Sequence, residues 1–358
     1  MTFEELMDYA VSKDCSDVHI TVGTNLAVRR YGELYILDDK PTAEESLAMI
    51  YTLLNNSDRE RVEAGEDVDF GLMLDSEHRI RVNVYHQRNN LAASIRILMA
   101  QIPDIVDLGL PPVVQDMANA QNGIVLVTGP TGSGKTTTLS ALVDYINKNK
   151  ARHVITIEDP IEYIYPHNRA MIHQRELGRD TMSFADALHS ALREDPDIIL
   201  VGEMRDFETI SAAITAAETG HLVLSTLHTQ SAAQTIDRII SGSPVELQNT
   251  IRMQFASSVR GVISQQLLPL SDGNGRILTT EVMVGTTAIQ NLIREDKIQM
   301  IPGAIQSGHS IGMHTLNEDL LELYHNNQIT RKTAINAAYD PIELEKALGL
   351  NAANAFGI

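Results

Sequence analysis

Behind Thr2 and Glu5, which have the spacing of a capping box, Phe3, Leu6, Met7, Ala10 and Val11 recur on one helical face. The chain therefore predicts an amphipathic helix near its start. Apolar and polar residues then alternate with period two in "DVHITV" and "LAVRRYGELYIL", and a second capped helix begins near "PTAEESLAMIYTLL". "DVDFGLML", "RIRVNVYHQ" and "LAASIRIL" read as three more strands. Residues 1–100 thus form an α+β module, a small sheet flanked by helices.

The pattern breaks over 101–114, "QIPDIVDLGLPPVV", where Pro103, Gly109, Pro111 and Pro112 exclude a helix or central strand and mark an interdomain linker. From Gly123 the apolar positions stop alternating and become continuous runs, "GIVLVT", "HVITI", "DIILV" and "LVLST". Helical patterns separate them, such as Phe184, Leu188, Ala191 and Leu192, or Phe207, Ile210 and Ile214. Strands buried on both faces and joined through helices predict a mainly parallel α/β sheet over 115–285. After 285 the pattern turns helical, as in "TTAIQNLIRED" and "TLNEDLLELYHNN", which sets apart a C-terminal subdomain and tail, 286–358.

Composition changes this picture little. The 358 residues, 43% hydrophobic and 21% charged, suffice for two domains with separate cores, and only the terminal "NAANAFGI" reads as disordered. A net charge of −19 without a basic stripe argues against direct binding of nucleic acid or anionic lipid. No apolar run approaches the roughly 18 residues of a membrane span, and "MTFEELMDYA" lacks a leader's apolar region, so a cytoplasmic protein is expected. Cys15, the single cysteine, excludes an internal disulfide and a four-cysteine metal site.

Chemistry concentrates in the parallel sheet. "GPTGSGKTT" (Gly129, Pro130, Thr131, Gly132, Ser133, Gly134, Lys135, Thr136, Thr137) follows a buried strand and opens a helix. Its backbone N–H groups can surround a β-phosphate, Lys135 can reach the β- and γ-phosphates, and the Thr136 hydroxyl can bind Mg²⁺. "ITIEDPIEY" carries Glu158, Asp159 and Glu162 past a strand end, which fits a ligand crevice and equally a solvated acidic loop with a helix cap. "DPDIILVGEMRD" ends a buried strand next to Glu203; after a phosphate loop, that carboxylate is expected to hold Mg²⁺ or orient the attacking water. His221 and His228 bracket "LVLST" and read either as packed histidines or as γ-phosphate sensors. In the N-terminal module, Arg79, Arg81, Arg88 and Arg96 lie in strand-like segments, with Arg79 and Arg81 on one face. They are either a solvated face or arginine fingers closing on a nucleotide from another domain.

In this order the phosphate loop, the Asp box "ITIEDPIEY", the Walker B segment "DPDIILVGEMRD" and the His box "TGHLVLSTLHT" resemble the secretion-type ATPase superfamily of type II and type IV secretion and type IV pilus systems. The resemblance spans nearly the whole chain. A start directly at the "CSDVHI" module, the absence of a four-cysteine motif and "AIQNLIRE" at 288–295 favour the pilus retraction branch. In that segment Gln290 replaces the family's arginine. The resemblance implies a PAS-like α+β N-terminal domain, a RecA-like P-loop ATPase core with a helical C-terminal subdomain, and ATP and Mg²⁺ as ligands. It also implies a homohexamer, peripheral to the inner membrane at its cytoplasmic face and acting on a pilus platform protein there. Lys135 and Thr136 are then phosphate and Mg²⁺ ligands, Glu162 and Glu203 the catalytic carboxylates, with Glu203 also at the metal. His221 and His228 form the His box, and Arg81 and Arg96 are the arginine fingers. An accessory retraction ATPase, a secretion or assembly ATPase, and a RecA-like nucleic-acid translocase are the competing readings.

Overall fold

The computed structural model describes residues 1–76, 78–99 and 101–348; the terminal "NAANAFGI" lies outside them. The chain divides into two compact units, one of Met1–Ile102 with Pro160–Ile164, the other of Pro103–Asp159 with Tyr165–Ile358.

The first unit opens with α1 (Phe3–Ser12), where Thr2 Oγ1 accepts from the Glu5 N–H and the Glu5 carboxylate accepts from the Thr2 N–H. Such a box contributes about 1 kcal/mol and fixes where the helix begins. Strands β1 (Cys15–Thr21), β2 (Ala27–Arg30) and β3 (Glu33–Ile36) follow, then α2 (Ala43–Leu53), boxed by Thr42 and Glu45, and α3 (Asn56–Glu63). Next come β4 (Val68–Met73), β5 (His78–Gln87) and β6 (Asn90–Met99). The six strands form one antiparallel sheet in the order β3-β2-β1-β6-β5-β4. Period-two alternation turns Val18, Ile20, Val82, Val84 and Ile95 to one side, where Leu6, Met7 and Ile50 of α1 and α2 complete the core. The opposite side carries Asp17, His19, Arg29, Arg81, Asn83 and Arg96. Arg88 does not join them: with Asn89 it makes the tight turn between β5 and β6, both residues at positive φ.

The second unit begins with α4 (Val113–Ala118), β7 (Gly123–Thr128), α5 (Lys135–Asn149), β8 (His153–Glu158), β9 (Met171–Glu176) and α6 (Phe184–Ala191). It continues through β10 (Ile198–Val201), α7 (Phe207–Glu218), β11 (Leu222–Leu227), α8 (Ala232–Ser241), α9 (Gln248–Ser258), β12 (Val259–Pro269) and β13 (Arg276–Val284). The seven strands lie in the order β13-β12-β7-β11-β10-β8-β9, all neighbours parallel except the β12–β13 pair. The central strands β7, β10 and β11 are buried at every position, as continuous apolar runs require. β9, β12 and β13 extend the sheet beyond the expected runs.

The chain ends in short helices: α10 (Thr287–Arg294), α11 (Ile301–Gln306), α12 (Leu316–His325), α13 (Arg331–Ala337) and α14 (Pro341–Ala347). Leu316, Leu320, Leu323, Ile329, Ala334 and Leu344 pack there with Leu268 of β12 into a separate small core. At α10, Ile289 and Ile293 are buried, while the Gln290 side-chain amide donates to Gly285 O at 3.2 Å. Among the described residues no helix is long and apolar enough to cross a membrane.

Candidate nucleotide site

Parallel pairing aligns the C-terminal ends of the central strands. Thr128 at the end of β7 is in register with Leu227 of β11, and Val201 of β10 pairs with Ser225 of β11 and Ile157 of β8. The phosphate loop, Glu203, His228 and Glu158 therefore emerge along one edge of the sheet. β11 lies between the loop strand and the Glu203 strand, so those strand ends are about 10 Å apart.

Within the loop, Gly129 has φ 143° and Gly134 φ 88°, backbone open essentially to glycine. A Cβ at Gly129 would also lie 2.2 Å from Gln265 O and 2.7 Å from Ser133 Oγ. Gly134 stands at the N-cap of α5 and supplies no capping side chain, leaving the first-turn N–H groups as a positive helix end. Lys135, only 9% exposed, folds back so that its Nζ donates to Gly129 O at 2.9 Å and Pro130 O at 3.0 Å. Ser133 is buried and its Oγ has no partner among the described residues. Left-handed glycines, an uncapped helix start and an orphaned hydroxyl together fit this loop to a phosphate group.

A residue that the sequence did not single out braces the loop. Gln265 of β12, 1% exposed, donates through Nε2 to Ser133 O at 2.7 Å and accepts from Thr138 Oγ1 at 3.0 Å. Beside it the hydroxyls of Thr128 and Ser264 pair at 2.8 Å. These polar contacts tie the loop to the strand across the sheet.

At the Walker B position, Glu203 is gripped by Arg205, whose Nη2 donates to Glu203 Oε2 at 2.7 Å and whose Nε donates to the other oxygen. The Glu203 hydrogen bond, aided by the charge of Asp159, raises the Arg205 pKa. His228 Nε2 stands 3.9 Å from Glu203 Oε2, so the structure unites these two sequence candidates. His221 is not brought to them. It precedes β11 at the sheet's opposite edge, its Nδ1 2.9 Å from Ala216 O, and seven residue steps at about 3.3 Å each put it roughly 23 Å from His228. Glu158 is buried and accepts from Thr156 Oγ1 at 2.7 Å and Gln174 Nε2 at 3.2 Å, which makes it a bracing group.

Glu162 belongs to the segment grouped with the first unit, where Arg79 holds the chain by donating from Nε to Ile161 O at 2.8 Å. Glycine at 71 leaves room for this placement, since a Cβ there would crowd the Arg79 guanidinium. Arg81 and Arg96 face each other directly across β5 and β6, on the polar side of the sheet. Each has an acidic partner that the sequence reading missed: Asp69 for Arg81 and Asp17 for Arg96.

Comparison with known proteins identifies the family. The family described as Type II/IV secretion system protein matches residues 2–291. A type IV pilus retraction ATPase, PilT, of Pseudomonas aeruginosa is 43% identical over 95% of this chain and 99% of its own length. The type IV pilus ATPase PilU of the same organism is 34% identical over 94% and 88%. The crystal structure of the pilus retraction motor PilT with bound ADP superposes with a TM-score of 0.90 at 44% identity, covering 97% of this chain and 99% of that one. The fold is thus an N-terminal α+β domain followed by a RecA-like P-loop core with a C-terminal helical subdomain, and the chain belongs to the Type II/IV secretion system protein family as a PilT-like, ATP-hydrolysing pilus retraction ATPase.

Proposed function

We propose that the chain is the subunit of a homohexameric motor that hydrolyses ATP to retract type IV pili, working at the cytoplasmic face of the inner membrane through a platform protein embedded there. The near end-to-end relationship to a retraction ATPase carries this reading. Residues 1–100 are assigned as the PAS-like domain, supported by a single antiparallel sheet with its helices against the apolar side. Residues 101–114 are the hinge, 115–285 the motor core and 286–358 the helical end.

ATP is cradled by Gly129–Thr137, with the Lys135 ammonium exchanging the carbonyls of Gly129 and Pro130 for the β- and γ-phosphates. Thr136 and Glu203 would hold Mg²⁺, which when bound offsets negative charge on those phosphates. One of the two carboxylates, Glu162 or Glu203, takes a proton from water as the water oxygen attacks the γ-phosphorus. The bond from that phosphorus to the bridging oxygen breaks, releasing ADP and phosphate. His228, beside Glu203, is suited to sense the γ-phosphate. His221, at the far edge, steadies the start of β11 and takes no part in the chemistry of its own subunit. Arg81 and Arg96 supply the cations that a γ-phosphate among carboxylates still lacks.

A deletion strain tests the whole reading. Its cells should be hyperpiliated and lack twitching, wild-type protein should restore retraction, and Lys135→Ala should not, because the purified variant keeps its thermal stability yet loses ATP turnover. Normal retraction in the deletion strain overturns the proposal.

A further inference from the structure

Along one row of the first unit's sheet, Arg29, Asp17, Arg96, Arg81 and Gly71 are successive cross-strand neighbours on β2, β1, β6, β5 and β4. Directly paired residues point to the same side, so this row puts three arginines and one aspartate together. Asp69, two residues before Gly71, adds a second carboxylate. The two central arginines are held in different ways.

Arg96 is held by its stem. Its Nε donates to Asp17 Oδ1 at 2.9 Å, and among the described residues its two Nη groups make no hydrogen bond, although the side chain is 63% exposed. Asp17 is a rigid anchor: it is 7% exposed, its other oxygen accepts from Ser16 Oγ at 2.8 Å, and Arg29 Nε stands 4.0 Å away. A guanidinium fixed through Nε keeps its Nη pair aimed outward, ready for bidentate contact with an anion. Arg81 is held by its fork. Nε and Nη2 both donate to Asp69, at 3.1 Å to Oδ1 and 2.6 Å to Oδ2, so the edge that would grip a phosphate already grips a carboxylate.

We infer that Asp17 and Asp69 are positioning residues with opposite effects on ATP use: Asp17 presents Arg96 to the γ-phosphate, and Asp69 withholds Arg81 from it. This rests on the reading that both arginines meet the γ-phosphate. Arg96 then engages at no cost in existing bonds. Arg81 engages only after a γ-phosphate has outcompeted Asp69, which makes its transfer the step that separates ATP from ADP. The pair forms a two-stage sensor, one cation standing ready and one released on demand.

The test uses the full-length protein with Asp17→Asn, Asp69→Asn, Arg81→Ala, Arg96→Ala and the double variant Asp69→Asn/Arg81→Ala. Steady-state ATP hydrolysis gives KM and kcat, and a fluorescent ADP gives ADP affinity. Asp17→Asn should raise the KM for ATP and Asp69→Asn should lower it, each by about fivefold, the scale of one partly exposed ion pair. In both, kcat should stay within about twofold and ADP affinity should not move. The double variant should lose the gain of Asp69→Asn. Should Asp17→Asn unfold, Asp17→Glu keeps the anchor's charge and must retain near-normal KM, and the Asp69 arm decides alone. KM shifts of the same sign in the two aspartate variants, or an unchanged KM in Asp69→Asn, overturn the inference. If neither arginine variant raises the KM for ATP, the underlying reading fails instead; if they do and the aspartate variants do not diverge, only the inference fails.

Discussion

Gln265 illustrates what a single buried amide can do at a nucleotide loop. It satisfies a loop carbonyl with its NH₂ group and a helix hydroxyl with its oxygen, and its strand places both contacts without exposing the amide to water. Truncation to alanine leaves the Ser133 carbonyl and the Thr138 hydroxyl buried without these partners, which costs about 1–3 kcal/mol, part of it felt as loss of loop order. Gln265→Ala should therefore raise the KM for ATP roughly tenfold while the turnover of bound ATP changes less. Steady-state kinetics beside a thermal melt checks this, and an unchanged KM would reduce Gln265 to a packing residue. Lys135, Glu203 and His228 could be proposed from the sequence because local spacing carries the chemistry assigned to them. Gln265 was not, since it sits in a strand of mixed polarity and meets a loop more than a hundred residues away. Asp17 and Asp69 were hidden for a related reason: strand pairing joins them to their arginines, and adjacency in sequence does not.

Helix starts were the most readable elements, because capping boxes at Thr2 and Thr42 announce themselves by spacing. Less readable were β9, β12 and β13, whose Gln, Arg, Thr and Glu residues break the apolar run that marked the central strands. The same polarity hid α3, where only Asp58 and Val62 are buried. The two histidines around β11 could have been separated on paper, since a strand of six residues cannot bring both its ends to one edge. Glu281 of β13 shows what such polar strands are for. It is buried at the starts of two helices, accepting from the Ala232 N–H of α8 at 2.8 Å and from the Leu316 N–H of α12. Burial nevertheless dominates, and the Glu281 pKa rises from 4.5 to about 7; burial and the same carboxylate push the Tyr339 phenol up. Between these values the folded state keeps a proton that the unfolded chain has released, so stability falls as pH rises from about 4.5 to 7, by roughly 3 kcal/mol from this group. Denaturant unfolding of wild type and Glu281→Gln across that range should give curves that converge or cross, with the variant's falling less; parallel curves would refute the assignment.

At the scale of the whole molecule, the arginines and Glu162 belong to one unit while the phosphate loop, Glu203 and His228 belong to the other. On the proposed reading that Arg81 and Arg96 meet the γ-phosphate, ATP can change the distance between the units only through its differential affinity for the closed state. ADP lacks the phosphate that Arg81 and Arg96 would meet and should draw them less. Dyes on Tyr31→Cys and Met182→Cys, both strongly exposed positions on different units, report the distance, and the buried Cys15 resists labelling. A non-hydrolysable ATP analogue should shorten that distance more than ADP does, and Arg81→Ala or Arg96→Ala should erase most of the difference. Equal distances with both nucleotides would exclude ATP-specific closure. The excursion of Pro160–Ile164 into the first unit also alters how the molecule can be taken apart. The backbone crosses between units three times, at 102/103, 159/160 and 164/165, where an ordinary two-domain chain crosses once. Lengthening the 101–114 stretch with flexible residues would slacken one tether and leave two short ones, so the effective concentration of one unit near the other would scarcely fall. The chain therefore links the two units by three covalent strands rather than one.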